Sequence, residues 1–290
     1  MNDRLRVGVL CSRLRVEEKL LRDALVHRGT DVEVVDDREL TFVLGQPLRR
    51  WDVVLERSLS QTRGLAAARI LESCGVLTVN RHSVAAVCAS KLDTSALLDA
   101  AGIPTPATAV AFTPDGALRA AEDLGYPVVL KPITGSWGRL LARINDRDAA
   151  EALFEHKALL GGPEHSVFYL QRHIDKPGRD IRAFVVGDAV VCAIYRESEH
   201  WVTNTARGAR TRNCTVDSAL RELALRAAAA VGGGVLAVDL LEDADHLLVS
   251  EVNATMEFRN SIDVTGVDIP GHVADHVREV ARASWVVAHA

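Results

Sequence analysis

The sequence predicts a chain that opens as a parallel α/β unit and continues as mixed α+β structure. Two observations carry this. Through the first 80 residues short β-branched runs alternate with amphipathic stretches closed by glycine, the order of successive βαβ steps. Beyond the proline pair in "GIPTPAT" (102–108), strand-like runs follow one another across short turns, the pattern of antiparallel or mixed sheets.

In order, a strand at Arg6–Leu10, a helix from Val16 to Arg28 stopped by Gly29, and a strand at Val32–Val35 make the first βαβ step. Val53–Leu55, a helix from Gly64 to Ser73, Gly75 and Val76–Val79 make the second, so a parallel sheet is expected. No G-x-G-x-x-G follows the first strand, and the unit is Rossmann-like without a dinucleotide fingerprint. A helix from Ser83 to Ala101 ends at Gly102, and the two prolines cannot continue it. Next come a strand at Ala107–Phe112, a helix from Pro114 to Leu124, the strand "YPVVLKP", the turn "TGSWGR", a strand at Leu140–Ile144 and a helix from Arg147 to Leu159. The last third reads as strand "SVFYLQRHI", strands Ile181–Val186 and Val190–Tyr195, a polar loop from Glu197 to Asn213 and a helix from Asp217 to Val231. A hairpin of Leu236–Leu241 with His246–Asn253 and a helix from Gly271 to Ala283 complete it.

Composition excludes some functions. A net charge of −5, from 34 basic and 39 acidic residues, argues against general nucleic-acid affinity. Cys11, Cys74, Cys88, Cys192 and Cys214 are odd in number and show no C-x-x-C spacing, so no disulfide framework or zinc site is signalled. There is no apolar run of membrane-spanning length and no signal-peptide pattern, and a cytoplasmic protein is expected.

Side chains alternate along a strand, so Glu251 and Asn253 in "EVNATMEF" share a face, and the hairpin partner "LAVDLLE" can bring Asp239 beside them. Two carboxylates and an amide oxygen are hard donors suited to Mg²⁺, which leaves positions for water and phosphate; a solvated strand face ending in an Asx turn is the other reading. A metal that carries polyphosphate calls for cations and glycines nearby. Lys131 ends an apolar strand just before Gly135, Ser136, Trp137 and Gly138, a loop able to turn backbone N–H groups toward phosphate. Lys91 is a further cation, with an exposed helix lysine as its ordinary reading. The segment "FYLQRHI", with Gln171, Arg172, His173 and Ile174, offers a strand edge for a purine, and Asp180 and Arg182 follow at i, i+2 as ribose, lysine or phosphate partners, or as a surface salt bridge. "WVTNTARGARTRN" clusters arginines with Asn204 and Thr205, suited to carboxylate and phosphate.

Taken in order, Lys91, "YPVVLKP…GSWGR", "FYLQRHIDKPGRDIR", "TNTARG", "GGGVLAVDL" and "EVNATMEF" resemble the ATP-grasp ligases, in their RimK-like branch. "SLSQTRGLAAAR", "HWVTNTARG" and "NSIDVTGVDIPG" look like the LysX proteins, which attach α-aminoadipate to an amino-group carrier protein in lysine biosynthesis. The resemblance implies an ATP-grasp fold preceded by a Rossmann-like domain, divided at 1–85, 86–165 and 166–290. It implies an ADP-forming ligase that joins the α-amino group of an amino acid to the γ-carboxyl of the C-terminal glutamate of a small acidic carrier, through an acyl phosphate. ATP would lie against Lys91, Lys131, Ser136, Trp137, Gly138, Gln171, Arg172, His173, Ile174, Asp180, Arg182 and Asn204. Two Mg²⁺ ions would be held by Asp239, Glu251 and Asn253. Arg196 and Arg207 would be catalytic and, with Asn204, Thr205, Thr255, Glu257, Phe258 and Asn260, would meet substrate. A homodimer or homotetramer is the family's usual state.

The chain departs from the LysX pattern at Arg172 and His173, where an acidic residue commonly adjoins the hinge glutamine, and at Ala254, often histidine. Two alternatives remain at this level: a RimK-like ligase that adds glutamate to a protein tail or makes a small peptide, and a non-catalytic nucleotide-binding regulator.

Overall fold

The computed structural model describes residues 4–48, 50–135, 140–203 and 208–289, and among these the strands form three sheets. The first holds β1 (Arg6–Leu10), β2 (Asp31–Val35), β3 (Val53–Glu56) and β4 (Leu77–Val79), all parallel in the order β2-β1-β3-β4. Its crossovers include α1 (Val16–His27) and α2 (Gln61–Ser73). The expected Rossmann-like opening is present.

The helix expected from Ser83 to Ala101 is instead two, α3 (His82–Ala89) and α4 (Lys91–Ala100). Ser90 between them is extended, and its hydroxyl accepts the Asp93 N–H, starting a new helix by an N-cap. The Lys91 N–H donates to Ile133 O at 2.8 Å, which ties this break to the loop after the next sheet's central strand.

The second sheet contains β5 (Thr108–Ala111), β6 (Val128–Lys131), β7 (Ala142–Ile144) and β8 (Phe168–Arg172), antiparallel in the order β5-β8-β6-β7. Packed on it are α5 (Pro114–Leu124) and α6 (Arg147–Leu160), through a core that includes Leu130, Phe154, Phe168 and Leu170. Two expectations change here. β8 pairs into this sheet, so the sheet extends past residue 166 to Arg172. And β8 lies between two neighbours, so it is not a free edge.

The third sheet runs β11-β10-β9-β12-β13, all antiparallel, from β9 (Arg179–Val186), β10 (Ala189–Glu197), β11 (Arg210–Cys214), β12 (Val235–Asp243) and β13 (His246–Asn253). The stretch read as one polar loop to Asn213 thus ends in a strand. One face of the sheet packs under α7 (Ser218–Ala230) through Ile181, Ala183, Val185, Leu223 and Ala224. Phe184, Ile194 and Ala237 on the other face share a core with Val7, Val9 and Leu55 of the first sheet and with Ile269 and Val273. α8 (Arg259–Thr265) follows the hairpin, and α9 (Ile269–His289) packs beside α1. No helix among the described residues is long and apolar enough to cross a membrane.

A buried amide fastens the first sheet to the third. Asn80 Nδ2 donates to Val235 O at 2.8 Å and Ala254 O at 2.6 Å, and the Val235 N–H donates to Asn80 Oδ1 at 2.6 Å. Gly234 permits this approach, because it has φ +116° and a Cβ there would collide with Asn80 Oδ1.

Candidate functional site

The period of two along the third sheet builds the site. Phe184 on β9, Ile194 on β10 and Ala237 on β12 face the shared core, and two residues along each strand that row becomes Arg182, Arg196 and Asp239. Register sets the pairs. Arg196 stands opposite Asp180, Arg182 opposite Asp239, and Asp239 opposite Glu251.

The side chains follow that register. Arg182 donates to both Asp239 oxygens at 2.7 Å, and Arg196 grips Asp180 at 2.6 and 2.9 Å while its Nη2 lies 3.2 Å from Asp239 Oδ2. Asp180, Arg196 and Asp239 are buried. Burial alone would raise the Asp239 carboxyl, but Arg182 and Arg196 outweigh it and hold the group at about 2, so it is a carboxylate at neutral pH. Thr203 donates to Asp180, and Lys176 Nζ reaches Thr203 Oγ1 at 2.6 Å and Asp180 Oδ2 at 3.5 Å. Burial lowers the Lys176 ammonium.

From the second sheet, Lys131 at the end of β6 donates to Gln171 Oε1 at 2.6 Å. Gln171 is itself fixed, its amide donating to Thr108 Oγ1 at 3.0 Å and Tyr169 OH at 3.2 Å. Burial pushes the Lys131 ammonium down to about 8. Lys91 at the start of α4 donates to Gly135 O at 2.8 Å and Glu251 Oε1 at 3.1 Å. These groups face a cleft between the two sheets, whose apolar wall of Val129, Leu141, Ile174, Val202 and Leu241 suits a flat heteroaromatic ring.

Lys91, Lys131, Gln171, Arg172, His173, Ile174, Asp180, Arg182, Arg196, Asp239, Glu251 and Asn253 therefore line one cavity. The purine edge expected at "FYLQRHI" is largely occupied: the Arg172 N–H donates to Ala107 O at 2.8 Å and the His173 N–H to Pro127 O at 3.1 Å. Arg172 also pairs with Asp243 at 2.7 Å. Asp180 and Arg182 form no pair with each other as successive i, i+2 residues; each meets the strand beside it. Ser136, Trp137, Gly138, Asn204, Thr205 and Arg207 lie outside the described residues. Lys176, Trp201, Val202 and Leu241 also line the cleft, and none of them was singled out in the sequence.

The expected substrate stretch divides. Phe258 is 1% exposed within the shared core, so its ring is packing rather than pocket. Thr255 is not among the lining residues of either large cleft. Glu257 and Asn260 line a second cleft, with Arg13, Arg15, Lys19 and Arg259, and this cleft meets the first at Arg182 and Arg196. The sequence signal for Arg13 and Arg15 was the basic run "CSRLR" just after β1, at the carboxyl end of a parallel strand where ligands of open α/β sheets collect.

No described cluster of three His, Cys, Asp or Glu side chains forms a metal site. The donor set is instead two carboxylates on adjacent strands, Asp239 and Glu251, with Asn253 Nδ2 3.5 Å from Asp239 Oδ2. Its chemistry fits Mg²⁺: hard oxygen donors, one of them firmly ionised, beside the cations Lys91 and Lys131.

Residues 88–277 match the RimK-like ATP-grasp domain and residues 7–87 the LysX preATP-grasp domain. The chain is similar to an alpha-aminoadipate–LysW ligase LysX of Saccharolobus solfataricus, 36% identical over 230 residues that cover 79% of this chain and 84% of the relative. A glutamate–LysW ligase ArgX of Sulfolobus acidocaldarius is 32% identical over 94% of this chain and 98% of its own. The crystal structure of a RimK domain ATP-grasp protein from Sphaerobacter thermophilus superposes with a TM-score of 0.77 at 31% identity, covering 94% of this chain and 99% of that one. ATP-grasp ligases use ATP and Mg²⁺. With the ATP-grasp match spanning well over half its length, the chain belongs to the RimK-like ATP-grasp family of ATP-dependent carbon–nitrogen ligases.

Proposed function

We propose that the protein joins the α-amino group of an acidic amino acid, α-aminoadipate or a close relative, to the γ-carboxyl of the C-terminal glutamate of a small acidic carrier protein. The observation that supports this is the meeting of two clefts at Arg182 and Arg196: one carries lysines and oxygen donors suited to Mg-ATP, and the other is strongly cationic. The relatives named as α-aminoadipate–LysW and glutamate–LysW ligases support a carrier of this kind and an acidic amino acid. A cytoplasmic homodimer or homotetramer, divided near residue 85 and just beyond Arg172 where the second sheet ends, completes the proposal.

In this mechanism the acceptor carboxylate takes the γ-phosphoryl group of ATP, and the neutral amine then displaces phosphate from the acyl phosphate. Mg²⁺, with one ion or two, would be held by Asp239, Glu251 and Asn253 and supply charge neutralisation at the transferring phosphoryl group. Lys131 and Lys91 hold phosphate oxygens. Arg196, fixed by Asp180 and Asp239, presents its charge where nucleotide and acceptor meet, so it needs little reorganisation during transfer. The second sheet and Trp201 wall the cleft and limit water.

Mass spectrometry of the purified protein with ATP, Mg²⁺, an acidic carrier and a panel of amino acids tests this. The carrier should gain one amino-acid residue, with ADP release dependent on both partners; ADP release indifferent to the carrier would refute it. Glu251→Gln should abolish ligation and ADP release while the circular dichroism spectrum stays native. Retained turnover at ordinary Mg²⁺ would remove Glu251 from the metal site.

A further inference from the structure

We infer that the second cleft is the subsite for a carboxylate-rich peptide segment of the acceptor, with Arg15 as its carboxylate-binding residue and Glu257 as the chain's own occupant of that position. This rests on the carrier-ligase function proposed above and specifies where and how the acceptor is held.

Size and charge come first. The cleft holds about 530 Å³ and is open to solvent, more room than one free amino acid fills, and is therefore suited to a peptide. It is lined by six cationic side chains, Arg13, Arg15, Lys19, Arg182, Arg196 and Arg259, against two carboxylates, Glu17 and Glu257. That surplus is local, since the chain as a whole carries −5. A segment lying here ends at Arg182 and Arg196, beside the donors of the nucleotide cleft, where the γ-carboxylate of its C-terminal glutamate can be phosphorylated.

Arg15 is built for the task. Its Nε and Nη2 donate to the fully buried Glu18 at 3.0 and 2.9 Å, and Arg57, Nε 3.2 Å from Glu18 Oε1, holds that carboxylate from the other side. The guanidinium is thus pinned, and Nη1 remains for the cleft. There it donates to Glu257 Oε1 at 2.7 Å, whose side chain is 41% exposed. A half-exposed carboxylate on a pre-positioned guanidinium is exchangeable: an incoming carboxylate makes the same charge-assisted bond, and Glu257 turns into water. Arg13, Lys19 and Arg259 are exposed on the rim, where charge governs encounter and selectivity.

The test is fluorescence anisotropy with a labelled oligo-glutamate peptide ending in a free C-terminal glutamate, in the presence of Mg²⁺ and a non-hydrolysable ATP analogue. In Arg13→Glu/Lys19→Glu, both on the surface and harmless to the core, the peptide Kd should rise at least about tenfold, with nucleotide binding unmoved. Glu257→Gln should tighten the peptide by about threefold or more, by removing the competing carboxylate. Peptide binding that is unchanged in the double variant overturns the subsite, and binding that is unchanged or weaker in Glu257→Gln overturns the occupant role. A wild-type protein that ligates the carrier but ignores these substitutions refutes this inference alone. One that neither binds the peptide nor modifies a carrier refutes the proposed function with it.

Discussion

In the proposed site, Lys131 makes nucleotide binding a proton-linked event. Its ammonium sits buried at the end of β6, held by Gln171 and pushed from its ordinary 10.5 down to about 8 by burial. That difference corresponds to about 3 kcal/mol of cost for keeping the charge buried at the end of β6. Polyphosphate brought against Nζ relieves the cost and restores the proton. Above pH 8 the free site loses its proton, so ATP must then recruit one, and the Kd should weaken by about tenfold for each pH unit beyond that point. Calorimetric titration at pH 7, 8 and 9, in two buffers of different ionisation enthalpy, measures this directly. At pH 9 the uptake should approach about one proton per ATP, and at pH 7 it should be small. Lys131→Arg, which cannot lose its proton in this range, should bind with a flat profile. A Kd constant from pH 7 to 9 with no proton uptake refutes the reasoning. The ligand-free protein should show the complementary trend: its folded-state value lies below the unfolded one, so the unfolded chain holds the extra proton, and stability from this group rises between pH 8 and 10.5.

Asn80→Ala removes three hydrogen bonds, two of them buried, and strands the Val235 N–H and two carbonyls, so it should cost about 2–4 kcal/mol in urea melts; a loss under about 0.5 kcal/mol would show that water replaces the amide. Glu18→Gln leaves Arg57 and Arg15 without their buried counter-charge and should cost about 3–5 kcal/mol, read as a lower Tm. Burial raises the Glu18 carboxyl but the two arginines outweigh it, so its net shift is downward. Its stabilisation should be complete above pH 4.5 and fade on acidification through its lower folded-state value, and Glu18→Gln should lose that acid limb.

Much of the fold was legible in the sequence because it rests on local periodicity and stops. Helix α5, Pro114–Leu124, begins at Pro114 behind a Thr113 cap and ends at Gly125, signals that the chain states outright. Glu251, Asn253 and Asp239 were placed on one face by the period of two and the hairpin turn. What local pattern does not carry is which strand lies beside which. "FYLQRHI" reads as an edge until β5 and β6 are known to flank it, and Asp180 and Arg182 look like each other's partners until register gives them Arg196 and Asp239. The break at Ser90 was hidden in the same way. In "HSVAAVCASKLDTSALL" little but the Ser90–Asp93 cap pattern marks a stop, and the Lys91 N–H bond to Ile133 O fixes the interruption there. Phe258 was misplaced because an aromatic next to a substrate stretch looks the same whether it faces the pocket or the core.

The pairing of Asp239 with two arginines and of Glu251 with Lys91 has a consequence for the order of events. Counted over its lining, the nucleotide cleft carries Lys91, Lys131, Arg172, Lys176, Arg182 and Arg196 against Asp180, Asp239 and Glu251. A bare divalent cation approaching its donors meets this positive surplus and must also compete with guanidinium and ammonium groups already seated there. A metal that arrives wrapped in triphosphate is attracted by the same charges, and its phosphates give the displaced cations somewhere to go. The proposed site therefore favours the metal–nucleotide complex over the free ion, and admits the two together.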